Sequence, residues 1–319
     1  MLNIISIKMS KYNNSKSNDN ALVSIIMNCY NGEKYLNESI DSIYAQTYQN
    51  WEIIFWDNAS TDRSANIAKS YDERIKYHLN SETAPLGEAR NCALKKTSGE
   101  YIAFLDCDDM YFPDKLEQQV KLMQSKDYVM CYGSVAVIDE KGEEIRKDIV
   151  ENKSGDVFPG LLRRYEVNMQ TVMLKRDFIV DNQLSFNTNM SYCPDHNLFM
   201  TIASKVKVGV ITDIVAKYRI VSNSLSKETI NIAPQEYCLT LDEISKSNPV
   251  LRQQLSNDFD CAYNKAKYYE VVADIYNNNK KQARYNLRTI LTSKIEYFLL
   301  YLLLLMPIPN KLILKLLGR

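Results

Sequence analysis

Three apolar runs, each stopping on a polar cluster, constrain the fold of this chain more than any other feature. Leu22-Val23-Ser24-Ile25-Ile26-Met27 gives way to Asn28-Cys29-Tyr30-Asn31-Gly32. Trp51-Glu52-Ile53-Ile54-Phe55-Trp56 stops at Asp57-Asn58-Ala59-Ser60-Thr61-Asp62, and Glu100-Tyr101-Ile102-Ala103-Phe104-Leu105 stops at Asp106-Cys107-Asp108-Asp109. Runs with so little alternation belong to strands buried on both faces, the environment of a parallel sheet. Helical patterns fill the intervals. Leu36, Ile40, Ile43 and Tyr44 share one face; a helix over 64–71 has Ser60, Thr61 and Asp62 to cap it; another over 88–97 ends at Ser98-Gly99, after a short strand over 75–79 and a loop over 80–87. Strand–helix alternation of this kind builds a doubly wound α/β sheet, which takes ligands at the carboxyl ends of its strands. The polar clusters gather at those ends.

Beyond residue 125 the pattern loosens. A strand is expected over 128–138, closed by the turn Asp139-Glu140-Lys141-Gly142, then helices over 155–165 and 191–204 and one or two strands over 206–218. Gln170-Thr171-Val172-Met173 reads as a strand facing the site. From Ala233 onward the pattern is helical, with a hairpin of 259–276 and 281–292 around Asn277-Asn278-Asn279. The expected organisation is a leader over 1–20, an α/β domain over 21–228 and a helical region over 229–319.

Bulk properties exclude several classes. Lysine plus arginine (39) equals aspartate plus glutamate (39), so no global charge recruits nucleic acid. The two histidines, His78 and His196, are too few for a histidine-rich metal site. The seven cysteines are scattered without a CxxC pair, which argues for free thiols in a reducing cytosol rather than zinc or disulfides. The short N-terminal apolar patch is broken by Asn3, Ser6 and Lys8 and is too small for a signal-peptide core. The Asn/Ser/Lys stretch after it reads as disordered. A cytoplasmic protein is expected, held to a membrane only if another segment does so.

That segment is the tail over 295–319. Residues 297–306 are uninterrupted apolar sequence, followed by Pro307 and Pro309. The run is well short of the roughly 20 residues a spanning helix needs. Lys280, Lys281, Arg284, Arg288, Lys294, Lys311, Lys315 and Arg319 face a single acid, Glu296. Apolar faces with basic flanks suit a helix lying in an anionic membrane surface. The alternative is a helix packed on its own domain or on a partner in a homo-oligomer.

Asp106-Cys107-Asp108-Asp109 carries the chemistry. Three carboxylates within four residues repel one another, and a cation compensates them. Oxygen-only ligands favour a hard ion, Mg²⁺ or Mn²⁺, with positions left for phosphate oxygens. The alternative is a solvated acidic turn capping the next helix.

Residues 23–114 resemble the nucleotide-sugar half of the family 2 inverting glycosyltransferases. The resemblance rests on four ordered blocks: Val23-Ser24-Ile25-Ile26 with Tyr30-Asn31; Asp57 to Asp62; Gly87 with Ala89-Arg90-Asn91; and Gly99 to Asp109. A fifth block is Tyr218-Arg219 with Ser222, Ser224 and Ser226. The resemblance implies the GT-A fold, a Rossmann-like mixed sheet flanked by helices, here with a helical C-terminal extension. It implies a nucleotide-sugar donor, UDP-linked by preference, bound by Tyr30, Asn31, Asp57, Arg90 and Asp106, and a Mn²⁺ or Mg²⁺ ion ligated by Asp108. Asp109, Gln170, His196 and Arg219 are further candidates around the acceptor. For Asp57 and Arg90 the competing role is a structural ion pair or helix cap.

The family places its catalytic base in a Glu-Asp pair opening a helix before Leu-Phe or Leu-Trp. Cys193-Pro194-Asp195-His196-Asn197-Leu198-Phe199 fits with Pro194 in place of the Glu, so Asp195 is the expected base, the alternative being a residue that only stabilises the helix start. Asn28 stands where the family commonly has Pro, and Val221 where it commonly has His, so no contact through that His is expected. A sugar-1-phosphate nucleotidyltransferase would carry a glycine-rich loop after the first strand, and a processive synthase several spanning helices; neither occurs. A silent, membrane-associated sugar-binding scaffold would have lost the carboxylates, which are present. The implied acceptor is a glycan, polyprenyl- or lipid-linked, in bacterial surface polysaccharide assembly.

Overall fold

The computed structural model describes residues 20–221 and 230–317. The expected leader before residue 20, the serines Ser222, Ser224 and Ser226, and the last two residues of the tail lie outside the described residues. The described residues form two compact units, residues 20–158 with 166–221, and residues 159–165 with 230–317.

In chain order the first unit opens with β1 (Val23–Cys29), α1 (Leu36–Tyr44), β2 (Trp51–Asp57), α2 (Ser64–Lys69), β3 (Ile75–Leu79), α3 (Leu86–Leu94) and β4 (Tyr101–Phe104). It continues through β5 (Met110–Tyr111), α4 (Lys115–Lys126), β6 (Met130–Ile138) and β7 (Glu144–Asp148). After α5 (Phe158–Arg163), most of which groups with the second unit, come a 3-10 turn Met169–Thr171, β8 (Met173–Lys175), α6 (Arg176–Asp181), α7 (Pro194–Ala203) and β9 (Gly209–Arg219). All nine strands join one mixed sheet in the order β3-β2-β1-β4-β8-β6-β9-β5, with β7 paired to β6.

The first four strands are parallel, and the apolar runs explain why. Every residue of β2 and β4, and all but Asn28 of β1, is buried, so each strand is covered on both faces. β3 buries only Ile75, which suits its place at the edge. α1 covers the sheet with Leu36, Ile40 and Ile43, the periodic stripe read from the sequence. Register then aligns the polar ends: Asp57 lies opposite Cys29 on one side and Leu79 on the other. Beyond β4 the sheet becomes mixed. β8 runs antiparallel to both β4 and β6, whereas β9 runs parallel to β6.

One strand is shorter than expected from the sequence. Gln170 and Thr171 belong to the 3-10 turn, and pairing begins only at Met173. The cause is local: the Asn168 side chain caps the turn by accepting the Gln170 N–H at 3.0 Å.

The second unit is helical: α8 (Ala233–Ser247), α9 (Pro249–Gln254), α10 (Ser256–Tyr276), α11 (Lys280–Arg288), α12 (Ile295–Leu305) and α13 (Asn310–Leu316). α10 and α11 form the expected hairpin. Asn278 takes a left-handed φ of 57°, and the Asn279 side chain caps α11 by accepting the Gln282 N–H. Val271, Ile275, Leu287, Leu300, Leu304 and Ile313 share its core. No described helix is long and apolar enough to cross a membrane.

Candidate active site

The loops after β1 and β2 are stitched to each other. The N–H groups of Asn31, Gly32 and Glu33 donate to Ser60 Oγ, Ser64 Oγ and Asp62 Oδ2 at 3.0, 3.0 and 2.9 Å. In return Asn31 Oδ1 accepts the Thr61 N–H at 2.9 Å. Asn31 has φ 52° and Ala59 φ 65°. Asparagine tolerates the left-handed region, whereas alanine there is strained, and such strain persists only where the surroundings enforce it. Asp57 is the anchor. Fully buried, it accepts the Ser60 N–H at 2.8 Å on Oδ1 and the Tyr77 hydroxyl at 2.6 Å on Oδ2. Tyr30, 54% exposed, stands beside this anchored turn as an open aromatic face.

The acidic loop is held from two directions. Gln170, buried, grips Asp106 with both ends of its amide: Oε1 accepts the Asp106 N–H at 2.9 Å, and Nε2 donates to Asp106 Oδ2 at 2.7 Å. Its contact is therefore with Asp106, not with open space in front of a strand. Arg219, also buried, holds the loop's far side. Its backbone N–H donates to Asp109 Oδ1 at 2.7 Å, its Nε to the Asp108 carbonyl at 2.9 Å, and its Nη2 pairs with Glu38 at 2.7 Å. The guanidinium is committed to protein partners and lies over the Tyr35 ring.

The carboxylates feel each other. Asp108 is pushed up to about 6, first by burial and then by Asp106. Asp109 is raised well above the carboxylate range, by burial and then by Asp108 and Asp106, and its Oδ2 is buried without a hydrogen-bond partner. A cation would relieve this strain, and carboxylate oxygens are the donor type that suits Mg²⁺ or Mn²⁺. Among the described residues no three acidic, thiol or imidazole groups converge on one point. Asp108 is the residue that would hold such an ion, which would supply positive charge to a diphosphate there.

Arg90 and Asp195 complete the cluster. Arg90, on α3 and 5% exposed, sets its Nη2 3.4 Å from Asp106 Oδ1, with Phe186 beneath; its buried Nε has no hydrogen-bond partner. A largely desolvated guanidinium is suited to an anionic ligand. Asp195 lies in the first turn of α7, behind Pro194 at the helix start. Burial raises its carboxyl pKa and Asp106 adds to the rise; Arg90 and the N–H groups of the helix start oppose it. A carboxylate moved toward neutral pH is the kind a general base requires. His196, a candidate near the acceptor, is buried in α7.

Several site residues escaped the sequence reading. Tyr77 fixes Asp57, and Asn58 binds the Ala84 carbonyl and N–H to hold the loop before α3. Glu38 answers Arg219 from α1. Tyr77 and Glu38 lie outside the motif blocks; only Asn58 sits inside one.

The sequence profile of the glycosyl transferase family 2 matches residues 24–201. The chain is 32% identical over 237 residues to the Escherichia coli protein WfgD, a UDP-Glc:alpha-D-GlcNAc-diphosphoundecaprenol beta-1,3-glucosyltransferase, covering 73% of this chain and 90% of that one. It is 34% identical over 237 residues to an uncharacterised glycosyltransferase of Rickettsia felis, across 71% of this chain but only 38% of that relative's length. Among solved structures, S. aureus TarS 1-349 in complex with UDP-GlcNAc superposes with a TM-score of 0.63 at 17% identity, over 77% of this chain and 72% of that one. The mannosyltransferase PcManGT of Pyrobaculum calidifontis, in complex with GDP-Man and Mn²⁺, gives 0.52 at 19% identity, over 88% and 83%. The fold is that of the GT-A glycosyltransferases, a mixed sheet flanked by helices. The chain belongs to the glycosyl transferase family 2.

Proposed function

We propose that this glycosyltransferase moves one sugar from a nucleotide-sugar, UDP-linked by preference, to a lipid-linked glycan, with inversion and with the help of Mn²⁺ or Mg²⁺. The carrying observation is the grouping of Arg90, Asp106 and Asp195 beside the Asp108 loop, next to the anchored loops of Asn31 and Asp57. In this reading residues 21–228 are the catalytic domain. Tyr30, Asn31 and Asp57 receive the nucleoside, Arg90 and Asp106 the ribose and diphosphate, and Asp108 the ion. The metal, when bound, neutralises charge developing on the leaving diphosphate.

The chain's own residues supply the rest. Gln170 holds the Asp106 carboxylate in one orientation, and Arg219 fixes the backbone of the loop that carries Asp108. Asp195 takes the proton from the acceptor hydroxyl as that oxygen attacks the anomeric carbon opposite the departing diphosphate. WfgD's diphosphoundecaprenol-linked acceptor and its UDP-Glc donor support the lipid-linked and UDP assignments by similarity. A lipid-linked acceptor would place the protein in the cytoplasm, peripheral on the cytosolic face of the inner membrane, working in surface polysaccharide assembly.

The test is release of nucleoside diphosphate from a panel of UDP-, GDP- and dTDP-sugars with Mn²⁺ or Mg²⁺, alongside calorimetric donor binding. Metal-dependent release or binding of one donor, abolished in Asp108→Ala, is the expected result. Failure of every nucleotide-sugar to bind with metal present would overturn the catalytic reading and leave a silent sugar-binding scaffold.

A further inference from the structure

Helix α12 is apolar almost all round, yet only one side of it is covered. Tyr297, Leu300 and Leu304 pack into the core of the helical unit against residues such as Val271, Leu287 and Ile313. The opposite side consists of Ile295, Phe298, Leu299, Leu302, Leu305 and, one residue past the helix end, Met306, between 38 and 67% exposed. Their spacing follows the helical repeat, so they form one continuous strip along three turns, about 16 Å long. A helix apolar all round is normally buried all round, and a monomer seldom leaves so contiguous a strip in water.

The strip is held firmly. Arg284 donates to the Leu304 carbonyl at 3.0 Å, Lys280 to the Met306 carbonyl at 3.4 Å, and Arg288 to the Tyr301 hydroxyl at 3.0 Å. Arg284 and Lys280 satisfy carbonyls at the end of α12 and its exit, and Arg288 ties down the Tyr301 side chain. Other bases stay at the surface: Lys294 immediately before α12, and Lys311 and Lys315 on α13, next to exposed Leu312 and Leu316. Among residues 280–317 the sole acid is Glu296.

We infer that the outer strip of α12, with exposed Lys294 at its start and exposed Lys311 and Lys315 on the helix that follows, is the surface by which this enzyme lies on an anionic lipid bilayer. The inference deepens the lipid-linked acceptor reading, on which the choice of a cytosolic leaflet rests. Charge complementarity decides between the two occupants such a strip allows. A second copy meeting the strip across a two-fold axis brings the same basic segment against itself, with only Glu296 to answer it. An anionic leaflet answers the lysines directly and takes up the apolar side chains to a depth that needs no spanning helix.

The experiment is co-sedimentation of the full chain with phosphatidylcholine vesicles, alone or mixed with phosphatidylglycerol, with a vesicle-free control. Donor calorimetry and light scattering are run on the same samples. The wild type should sediment with the anionic vesicles and remain soluble with the neutral ones. Leu299→Glu with Leu302→Glu should abolish sedimentation. Lys294→Glu, Lys311→Glu and Lys315→Glu combined should weaken binding to anionic vesicles on the order of a hundredfold. Both variants change exposed side chains only and should retain wild-type circular dichroism and donor binding. Anionic vesicles that leave the wild type in the supernatant would overturn the inference. So would a dimer that the leucine variant dissociates while vesicle binding is absent, which makes the strip an oligomer interface. Normal donor binding without vesicle binding defeats this inference alone; vesicle binding without donor binding defeats the catalytic reading alone.

Discussion

Lys115 is a cation in the wrong place, and its removal should stabilise the protein. It is completely buried at the start of α4, where its Nζ donates to Gln119 Oε1 at 2.6 Å and lies 4.0 Å from the centre of the Tyr111 ring. No carboxylate pairs with it there among the described residues, and burial lowers its pKa from 10.5 to about 7. An unfolded chain keeps the proton up to pH 10.5, so between about pH 7 and 10.5 the unfolded state holds more protons and stability rises with pH. Below about pH 7 both states are charged and the penalty is complete. At about 1.36 kcal/mol per pH unit it is on the order of 4–5 kcal/mol. Lys115→Met removes that penalty but leaves Gln119 Oε1 without its donor, a loss of about 1–3 kcal/mol, and forfeits the contact with Tyr111. The net expectation is a gain of about 1–3 kcal/mol at neutral pH that shrinks to zero or reverses by about pH 10. Urea unfolding of both proteins across that range measures it, and the difference between them cancels all other titrations. A difference that stays flat with pH, or a variant less stable at neutral pH, refutes the reasoning.

Three shorter predictions bear on the site and the sheet. Gln170→Leu should lower metal-dependent donor affinity at least about tenfold, since a side chain that grips Asp106 twice is lost; Gln170→Glu should do worse by setting a like charge against it, and calorimetry showing equal affinities would remove Gln170 from its positioning role. Asp195→Asn should leave donor binding near the wild-type value and slow transfer by about 10²–10⁴-fold, so unchanged turnover with an acceptor in hand would dismiss Asp195 as the base. Gly99→Ala should destabilise by about 1–3 kcal/mol in thermal unfolding, because the added carbon would sit 2.5 Å from the Leu22 carbonyl oxygen and 2.7 Å from the Ser24 nitrogen; an unchanged melting temperature would contradict that packing.

The sequence alone determined the parallel half of the sheet and the place of the acidic loop. β1, β2 and β4 are covered on both faces, so their side chains are apolar almost without interruption, and burial of that kind is written residue by residue. Their polar ends were legible for the same reason: where burial stops, composition changes abruptly. The α10–α11 hairpin could be read from its own period and its asparagine turn. Only the tertiary structure decided what grips the site. Gln170 reaches Asp106 across 64 positions, Arg219 reaches Asp109 across 110 and Glu38 across 181. No local periodicity encodes such pairings, because they depend on how β8 and β9 close the sheet beyond β4. β5 is too short to show a period, and the turn at Gln170 follows from one capping side chain. The covered side of α12 was likewise beyond the sequence. Its residues are apolar on both faces, and only packing against α10 and α11 separates the half that forms a core from the half that faces outward.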